Sequence, residues 1–250
     1  MLKSGERLDD LYPSSADIAL QIIQSDEVFS FSLDAVLLAH FTYLPLRESG
    51  QVVDLCSGNG VVPLFLSQRT RAKLIGVEIQ ARLFDMAVRS VQHNQLNEQI
   101  EMIHGDLKGV ASRVLGLERY DVVTCNPPYF VDVPASVKNA AEHFTIARHE
   151  VACTLEDVVR SASELLKQGG KFSIVHRPER LAELIVLMGQ FRFEVKRLRF
   201  VHPKAHREAN MVLLEAMKDG KPGVKVLPPL VVYEEDSRYT AELLQIMGAS

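Results

Sequence analysis

The sequence predicts an α/β protein with a mostly parallel sheet and helices on both faces. Three observations carry this reading. Apolar, β-branched runs alternate with segments of helical periodicity along the chain. A glycine turn, Ser57-Gly58-Asn59-Gly60, joins one such strand to a helix, the opening of a nucleotide-binding βαβ unit. A later strand, Tyr120 to Cys125, stops abruptly at Asn126-Pro127-Pro128-Tyr129. Prolines cannot continue a sheet ladder, so the chain must turn at the strand's carboxyl end, the edge where open α/β sheets bind ligands.

The elements follow in order. Ser30 to Ala39 starts extended and becomes an apolar helix, with Ser32 as its N-cap and Leu33 to Phe41 supplying the buried face. Gln51 to Cys56 is the first core strand, and Val61 to Leu66 opens the helix after the glycine turn. A dinucleotide fingerprint wants a third glycine where this chain has Pro63, which suits a first helical turn but argues against NAD. Leu74 to Glu78 is a second strand ending in an acid, placed to accept ribose hydroxyls; an exposed strand-end Glu is the plain alternative. Leu83 to Asn94 is helical, with Leu83, Met86, Ala87 and Val91 on one face. Ile100 to His104 is a third strand, running into Gly105-Asp106-Leu107, with Asp106 on the same edge and within reach of an adenine amino group. Thr154 to Leu166 is a helix with Thr154 as N-cap and Asp157 in a box-like arrangement, ending at Gly169-Gly170. Lys171 to His176 is a strand, Leu181 to Met188 a helix, and Glu194 to Val201 with Asn210 to Ala216 a closing antiparallel pair. Leu230 to Tyr233 and a short helix complete the chain.

Composition sets bounds. A chain of 250 residues with 47% hydrophobic content can bury one sizeable core. The expected organisation is one domain over 1–250, with an N-terminal cap and helix (1–48), a core sheet (49–217) and a C-terminal extension (218–250). Net charge is −4, no apolar run approaches a membrane span, and Met1 to Tyr12 is polar and acidic rather than a signal sequence. Cys56, Cys125 and Cys153 form no metal-type spacing; the first two end core strands, which favours burial over reactivity and a reducing, cytoplasmic setting. Charge is concentrated between Arg192 and Arg207, where six Lys or Arg face one acid. Such a basic hairpin suits phosphate contact, although lysine and arginine also protect ordinary sheet edges.

Asn126-Pro127-Pro128-Tyr129 has the chemistry to hold a planar amide or amine. The Asn126 side-chain oxygen and the Pro127 carbonyl are acceptors, and Tyr129 offers a ring for stacking. The bland reading is a Pro-Pro turn with a surface tyrosine. With Asp54, the glycine loop, Glu78 and Asp106 ending successive strands, residue chemistry alone points to an adenosine-like ligand.

This order of strand ends resembles the Rossmann-like class I methyltransferases that use S-adenosylmethionine, in their amino-methylating branch. That family implies a seven-stranded, mostly parallel sheet with a C-terminal antiparallel hairpin. Glu6 to Leu11, Ile22-Ile23-Gln24, Phe29 to Ala35, Asn126 to Phe130, Ala147-Arg148-His149-Glu150 and Phe200 to Lys204 look more narrowly like the bacterial enzymes that N6-methylate adenosine 37, beside the anticodon of a valine tRNA. The likeness covers nearly the whole chain; one departure is Cys56-Ser57, where a small residue and Gly or Ser are more usual. The resemblance implies S-adenosylmethionine as cofactor, held by Phe31, Asp54, Ser57, Gly58, Asn59, Gly60, Glu78, Ile79, Gly105, Asp106, Leu107 and Asn126. Asn126, Pro127 and Tyr129 would serve catalysis, and Pro128, Phe130, Arg197, Arg199, Lys204 and Arg207 would meet the tRNA, with no metal. A release-factor glutamine methyltransferase, another nucleic-acid amino methyltransferase and a non-catalytic RNA-binding module stay as alternatives.

Overall fold

Alternation of inward-facing side chains along each strand builds a sheet with two apolar faces, and helices cover both. The computed structural model describes residues 2–12, 19–28, 32–128 and 153–248. The strands are β1 (Glu6–Asp10), β2 (Gln21–Ser25), β3 (Gln51–Leu55), β4 (Lys73–Glu78), β5 (Ile100–His104), β6 (Tyr120–Cys125), β7 (Leu166–His176), β8 (Phe193–His202), β9 (Met211–Lys218), β10 (Lys225–Val226) and β11 (Leu230–Val231). The helices are α1 (Leu33–Phe41), α2 (Val61–Ser67), α3 (Ala81–His93), α4 (Leu155–Leu165), α5 (Leu181–Gln190) and α6 (Ala241–Ile246).

The main sheet runs β5-β4-β3-β6-β7-β9-β8, with β10 and β11 both paired to β8. All its neighbours are parallel except at β9, which is antiparallel to β7 and to β8. Strand β8 therefore points the same way as β6 and β7, and its carboxyl end lies on the edge where theirs lie. The seven expected strands and the closing antiparallel pair are present; the sheet has nine because two short strands add to β8.

Successive residues send their side chains to opposite faces. Val52, Leu74, Val122, Val175 and Leu213 pack with Leu37 and Leu38 of α1 and Leu64 and Leu66 of α2. Val53, Leu55, Val123, Phe172, Ile174 and Leu214 pack on the other face with Val158 and Leu165 of α4 and Leu184 and Met188 of α5. Full burial of each leucine contributes roughly 1.5–3 kcal/mol, so both faces hold the sheet flat against its helices.

Two elements differ from the sequence reading. Helix α4 has the expected Thr154–Asp157 capping box but ends at Leu165, and β7 begins at once. Gly169-Gly170 lies inside β7 beside a register shift against Tyr120 and Val122. Gly169 has φ +75, and a Cβ on Gly170 would come within 2.9 Å of Leu166 and Lys167 atoms. The glycines thus accommodate a bulge rather than stop a helix. The end of α4 is satisfied instead by the buried Lys218, whose Nζ donates to the Ser163 carbonyl at 2.7 Å and the Leu166 carbonyl at 2.8 Å. Ser32 does precede α1, yet its side chain makes no capping bond; its hydroxyl donates to Asp34 instead.

The β1–β2 hairpin was absent from the expected elements. It is sutured to α3 by side chains that take the place of a third strand. Ile23 N donates to Ser90 Oγ at 3.0 Å, Gln21 N to Asn94 Oδ1 at 3.0 Å, and Asn94 Nδ2 returns to the Gln21 carbonyl at 2.6 Å. Arg89 grips both oxygens of the buried Glu6 carboxylate, each at 2.7 Å, holding that carboxyl below its usual range.

Candidate active site

The carboxyl ends of β3, β4, β5 and β6 bring the predicted residues to one edge. Leu55 is paired with Cys125, so the loop leaving β3 and the Asn126-Pro127-Pro128 segment leaving β6 emerge side by side. Pro63 sits in the first turn of α2, and Gly60, at φ +86, is the N-cap in left-handed conformation. A Cβ on Gly60 would approach Ala87 of α3 to 3.2 Å, whereas one on Gly58 would meet nothing within 4 Å. Gly60 therefore serves helix packing, and Gly58 faces open space on the ligand edge. The loop is fixed to β4 by Ser57 N donating to the Val77 carbonyl at 3.0 Å. Cys56 takes a left-handed φ of 56° to make the turn, a strained conformation for a side-chain-bearing residue, and such strain clusters at ligand sites.

Glu78 is buried and does more than end its strand. Its Oε2 accepts Gly58 N at 2.8 Å and its Oε1 accepts Gln80 N at 2.7 Å. Burial raises its pKa against the pull of these backbone donors. Each carboxylate oxygen can accept more than one bond, so Glu78 can latch the loop and still receive hydroxyls. Ile79 beside it is exposed. Gly105 N donates to the Glu78 carbonyl at 3.0 Å, and Asp106 is half-buried, with Oδ1 accepting Lys108 N at 2.9 Å. Leu107 is buried, and its carbonyl accepts the Ser161 hydroxyl.

Asp54 lies one residue short of the end of β3, almost wholly buried. Thr124 Oγ1 donates to its Oδ1 at 2.6 Å. Burial pushes its carboxyl up to about 7, Thr124 and Ser57 pull it down, and Glu78 adds repulsion. Among the described residues, neither Asp54 Oδ2 nor Ser57 Oγ has a partner of hydrogen-bond geometry. Ser57 Oγ rests above Gly76, where an added Cβ would come within 2.7 Å of it and within 2.6 Å of Met102. Two buried oxygens with no partner of hydrogen-bond geometry among the described residues, beside an open glycine, form a polar cradle suited to the hydrophilic end of a cofactor.

Asn59 differs from its expected role. Its side-chain amide donates to the Ile23 carbonyl of β2 at 3.1 Å and so ties the glycine loop to the hairpin. Phe31, Tyr129 and Phe130, and the Ala147 to Glu150 stretch, lie outside the described residues.

The basic strand also differs. Arg197 Nε and Nη2 donate to the two oxygens of the buried Glu215 at 3.0 and 2.8 Å, Nη2 also reaches the Phe41 carbonyl at 2.8 Å, and the guanidinium lies 4.5 Å over the Phe41 ring. Arg199 pairs with Glu242 and the Pro228 carbonyl. Both are occupied within the fold, because β8 needs partners for α1 and α6 on that face. Lys204 and Arg207 instead follow the carboxyl end of β8. Their turn lies on the Asn126 edge three strands away, roughly 14 Å at 4.8 Å per strand. Lys204 Nζ donates to the Glu235 carbonyl at 2.8 Å, and Arg207 is exposed.

The family model described as methyltransferase small domain matches residues 19–196, most of the chain and the carboxyl ends of β3, β4, β5 and β6. The chain belongs to that family. Among curated relatives, a tRNA1(Val) (adenine(37)-N6)-methyltransferase of Bacteroides fragilis is 31% identical over 142 residues, 57% of each protein. Enzymes of the same name from a Shewanella species and from Tolumonas auensis are 24% and 27% identical, over 86% and 85% of this chain and 89% and 86% of their own. The match thus spans just over half the length of the Bacteroides relative and most of the other two. A solved predicted O-methyltransferase from Agrobacterium tumefaciens superposes with TM-score 0.69 at 24% identity, covering 87% of this chain and 97% of its own. A 16S rRNA N2 G1207 methyltransferase of T. thermophilus, solved with AdoMet and guanosine, gives 0.58 at 22%, covering 87% of this chain and 52% of its own.

Within this methyltransferase fold, three structural roles carried no signal in the sequence reading: Thr124 on Asp54, Asn59 on the hairpin and Gly76 under the loop. Each depends on which residues the sheet places side by side. The thiols stay protonated. Hydrogen bonding with Cys125 raises Cys56, and burial raises Cys125. Among the described residues, no group of three or more His, Cys, Asp or Glu side chains is placed to hold a metal ion, and no helix is long and apolar enough to cross a membrane.

Proposed function

We propose that this chain methylates the exocyclic N6 of an adenosine in tRNA, at position 37 beside the anticodon of a valine tRNA, with S-adenosylmethionine as donor, in the cytoplasm. The observation that carries this reading is the emergence of Asn126-Pro127-Pro128 beside the glycine loop of β3, on the edge shared with Glu78. The names of the relatives support the choice of tRNA and adenine.

The residues fit such a donor. Glu78 supplies carboxylate oxygens for ribose hydroxyls, Gly58 leaves room beside the loop, and the unpartnered oxygens of Asp54 and Ser57 suit the cationic methionine end. When bound, S-adenosylmethionine supplies a methyl group already activated on a positively charged sulfur. The protein's task is placement, which can lower a barrier by about 7–11 kcal/mol at its limit. The Asn126 side-chain oxygen and the Pro127 carbonyl accept the two N6–H bonds, aim the nitrogen lone pair and stabilise the positive charge growing on it. Pro128 keeps that turn rigid, and Tyr129 stacks on the base, worth about 1–3 kcal/mol. Lys204 and Arg207 meet the RNA backbone; Arg197 and Arg199 brace the strand that carries them.

Methyl transfer from labelled S-adenosylmethionine to unmodified total tRNA, followed by nucleoside digestion, tests this directly. The expected product is N6-methyladenosine. Label in a release-factor glutamine or in duplex DNA, with none in tRNA, would overturn the substrate assignment and leave the methyl donor standing.

A further inference from the structure

Strand register sets Asp54, Thr124, Ser173, Glu215 and Arg197 in one continuous row across β3, β6, β7, β9 and β8. Side chains in one row share a face, so a polar line crosses an otherwise apolar layer. Asp54, Thr124, Ser173 and Glu215 are all nearly inaccessible. The row divides into two pairs, of which the Arg197–Glu215 pair is closed on both carboxylate oxygens and the Thr124–Asp54 pair on one. Thr124 serves Asp54 at one end, and Arg197 serves Glu215 at the other. Between them Ser173 Oγ has no partner among the described residues, so the pairs are not joined through it.

Asp54 depends on this row for its orientation. Of the groups that act on it, β6 offers Thr124, the loop offers Ser57, and β4 offers the like-charged Glu78. Among the described residues no cation pairs with it. Thr124 is the one side chain among the described residues that donates to Asp54 with hydrogen-bond geometry. By engaging Oδ1, Thr124 fixes the carboxyl plane and leaves Oδ2 near Ser57, with no partner of hydrogen-bond geometry among the described residues.

We propose that Thr124 is a positioning residue for the methyl donor, acting through Asp54 by holding one carboxylate oxygen so that the other receives the donor's cationic end. This rests on S-adenosylmethionine being the cofactor. Thr124 touches neither donor nor substrate; its hydroxyl sets the orientation and charge of the group that does. Valine is its near-isostere without the donor, and burial would then act on Asp54 with less opposition.

The test is calorimetric titration of the full-length protein with S-adenosylmethionine and S-adenosylhomocysteine from pH 5.5 to 8.5. Thr124→Val is expected to raise both Kd values about tenfold at neutral pH, the scale of one hydrogen bond to a charged group. It should also move the midpoint of the affinity–pH profile upward, because Asp54 loses a donor that favours its ionised form. Thr124→Ser keeps the hydroxyl and should bind within twofold of wild type at an unmoved midpoint, even where the lost methyl lowers Tm. Ser173→Ala, in the same row with no bond to lose, should likewise bind within twofold. Wild-type affinity and midpoint in Thr124→Val would overturn the assignment, as would a Thr124→Ser protein as weak as Thr124→Val. Should Thr124→Val fail to fold, Thr124→Ala, which also removes the hydroxyl, is titrated in its place with the same expected and overturning results. Wild-type protein that binds neither compound would overturn the methyl-donor reading itself, a distinct result.

Discussion

Two ends of one sheet handle buried charge in opposite ways. At β3 and β4, Asp54 and Glu78 lie beneath the glycine loop, and both carboxyls are raised because burial outweighs their donors. At β8 and β9, Glu215 is as deeply buried, but Arg197 grips both its oxygens and Tyr43 N donates to one of them at 3.2 Å. Among the described residues Glu215 is complete on both oxygens, whereas Asp54 has a partner on only one. A buried acceptor left open costs stability, so its persistence at the ligand edge points to a group that arrives from outside. A closed pair needs no ligand and braces strands.

The largest effect that would sharpen this contrast is at Asn126. Asn126→Ala is expected to lower kcat about 10²–10³-fold, the scale seen when one preorganised electrostatic group is removed from a reaction site. Its Kd for S-adenosylmethionine should change far less, and equal losses in both would break the assignment of Asn126 to the amine. Next comes Arg197. Arg197→Ala strands the Glu215 charge in the core and is expected to cost about 3 kcal/mol in urea unfolding, the low end for breaking a buried pair because Arg197 is partly exposed. Reversing Lys204 and Arg207 together should leave unfolding unchanged, weaken tRNA binding and flatten its dependence on salt. A stable Arg197→Ala protein with weak RNA binding would return Arg197 to the interface.

What the sequence disclosed follows from the range of each signal. The β3 to β6 strands, the glycine loop and the capping box of α4 are local patterns, and all appear where the residues place them. Asp54, Glu78, Asp106 and Asn126 reach one edge because parallel strands carry their loops there. The hairpin was hidden because Glu6 to Asp10 is nearly all charge; it is held through Arg89, 83 residues on from Glu6, and through Ser90 and Asn94, 67 and 73 residues on from Ile23 and Gln21. Arg197 read as a phosphate ligand because a basic run shows no partner in sequence, and Glu215 becomes its partner only through the register of β8 on β9. The tie from Asn59 to the Ile23 carbonyl is hidden in sequence for the same reason.

The finest of these effects is a slope. Asp54 folds with its carboxyl raised from 3.8 to about 7. Between those values the folded chain holds a proton there that the unfolded chain has released, so this group makes stability fall as pH rises. The raised Glu78 acts with the same sign. His176 acts against both: burial lowers it from 6.5 to about 4, so between those values the unfolded chain holds the extra proton and stability climbs with pH. The wild-type profile mixes these contributions, but subtraction separates them. The unfolding free energy of Asp54→Asn minus that of wild type should rise by about 1.4 kcal/mol per pH unit from roughly pH 4.5 to 6.5, and level off above 7. Chemical denaturation at closely spaced pH values measures this difference. A flat difference would mean that Asp54 is ionised throughout, as well satisfied as Glu215, and the contrast between the two ends would disappear.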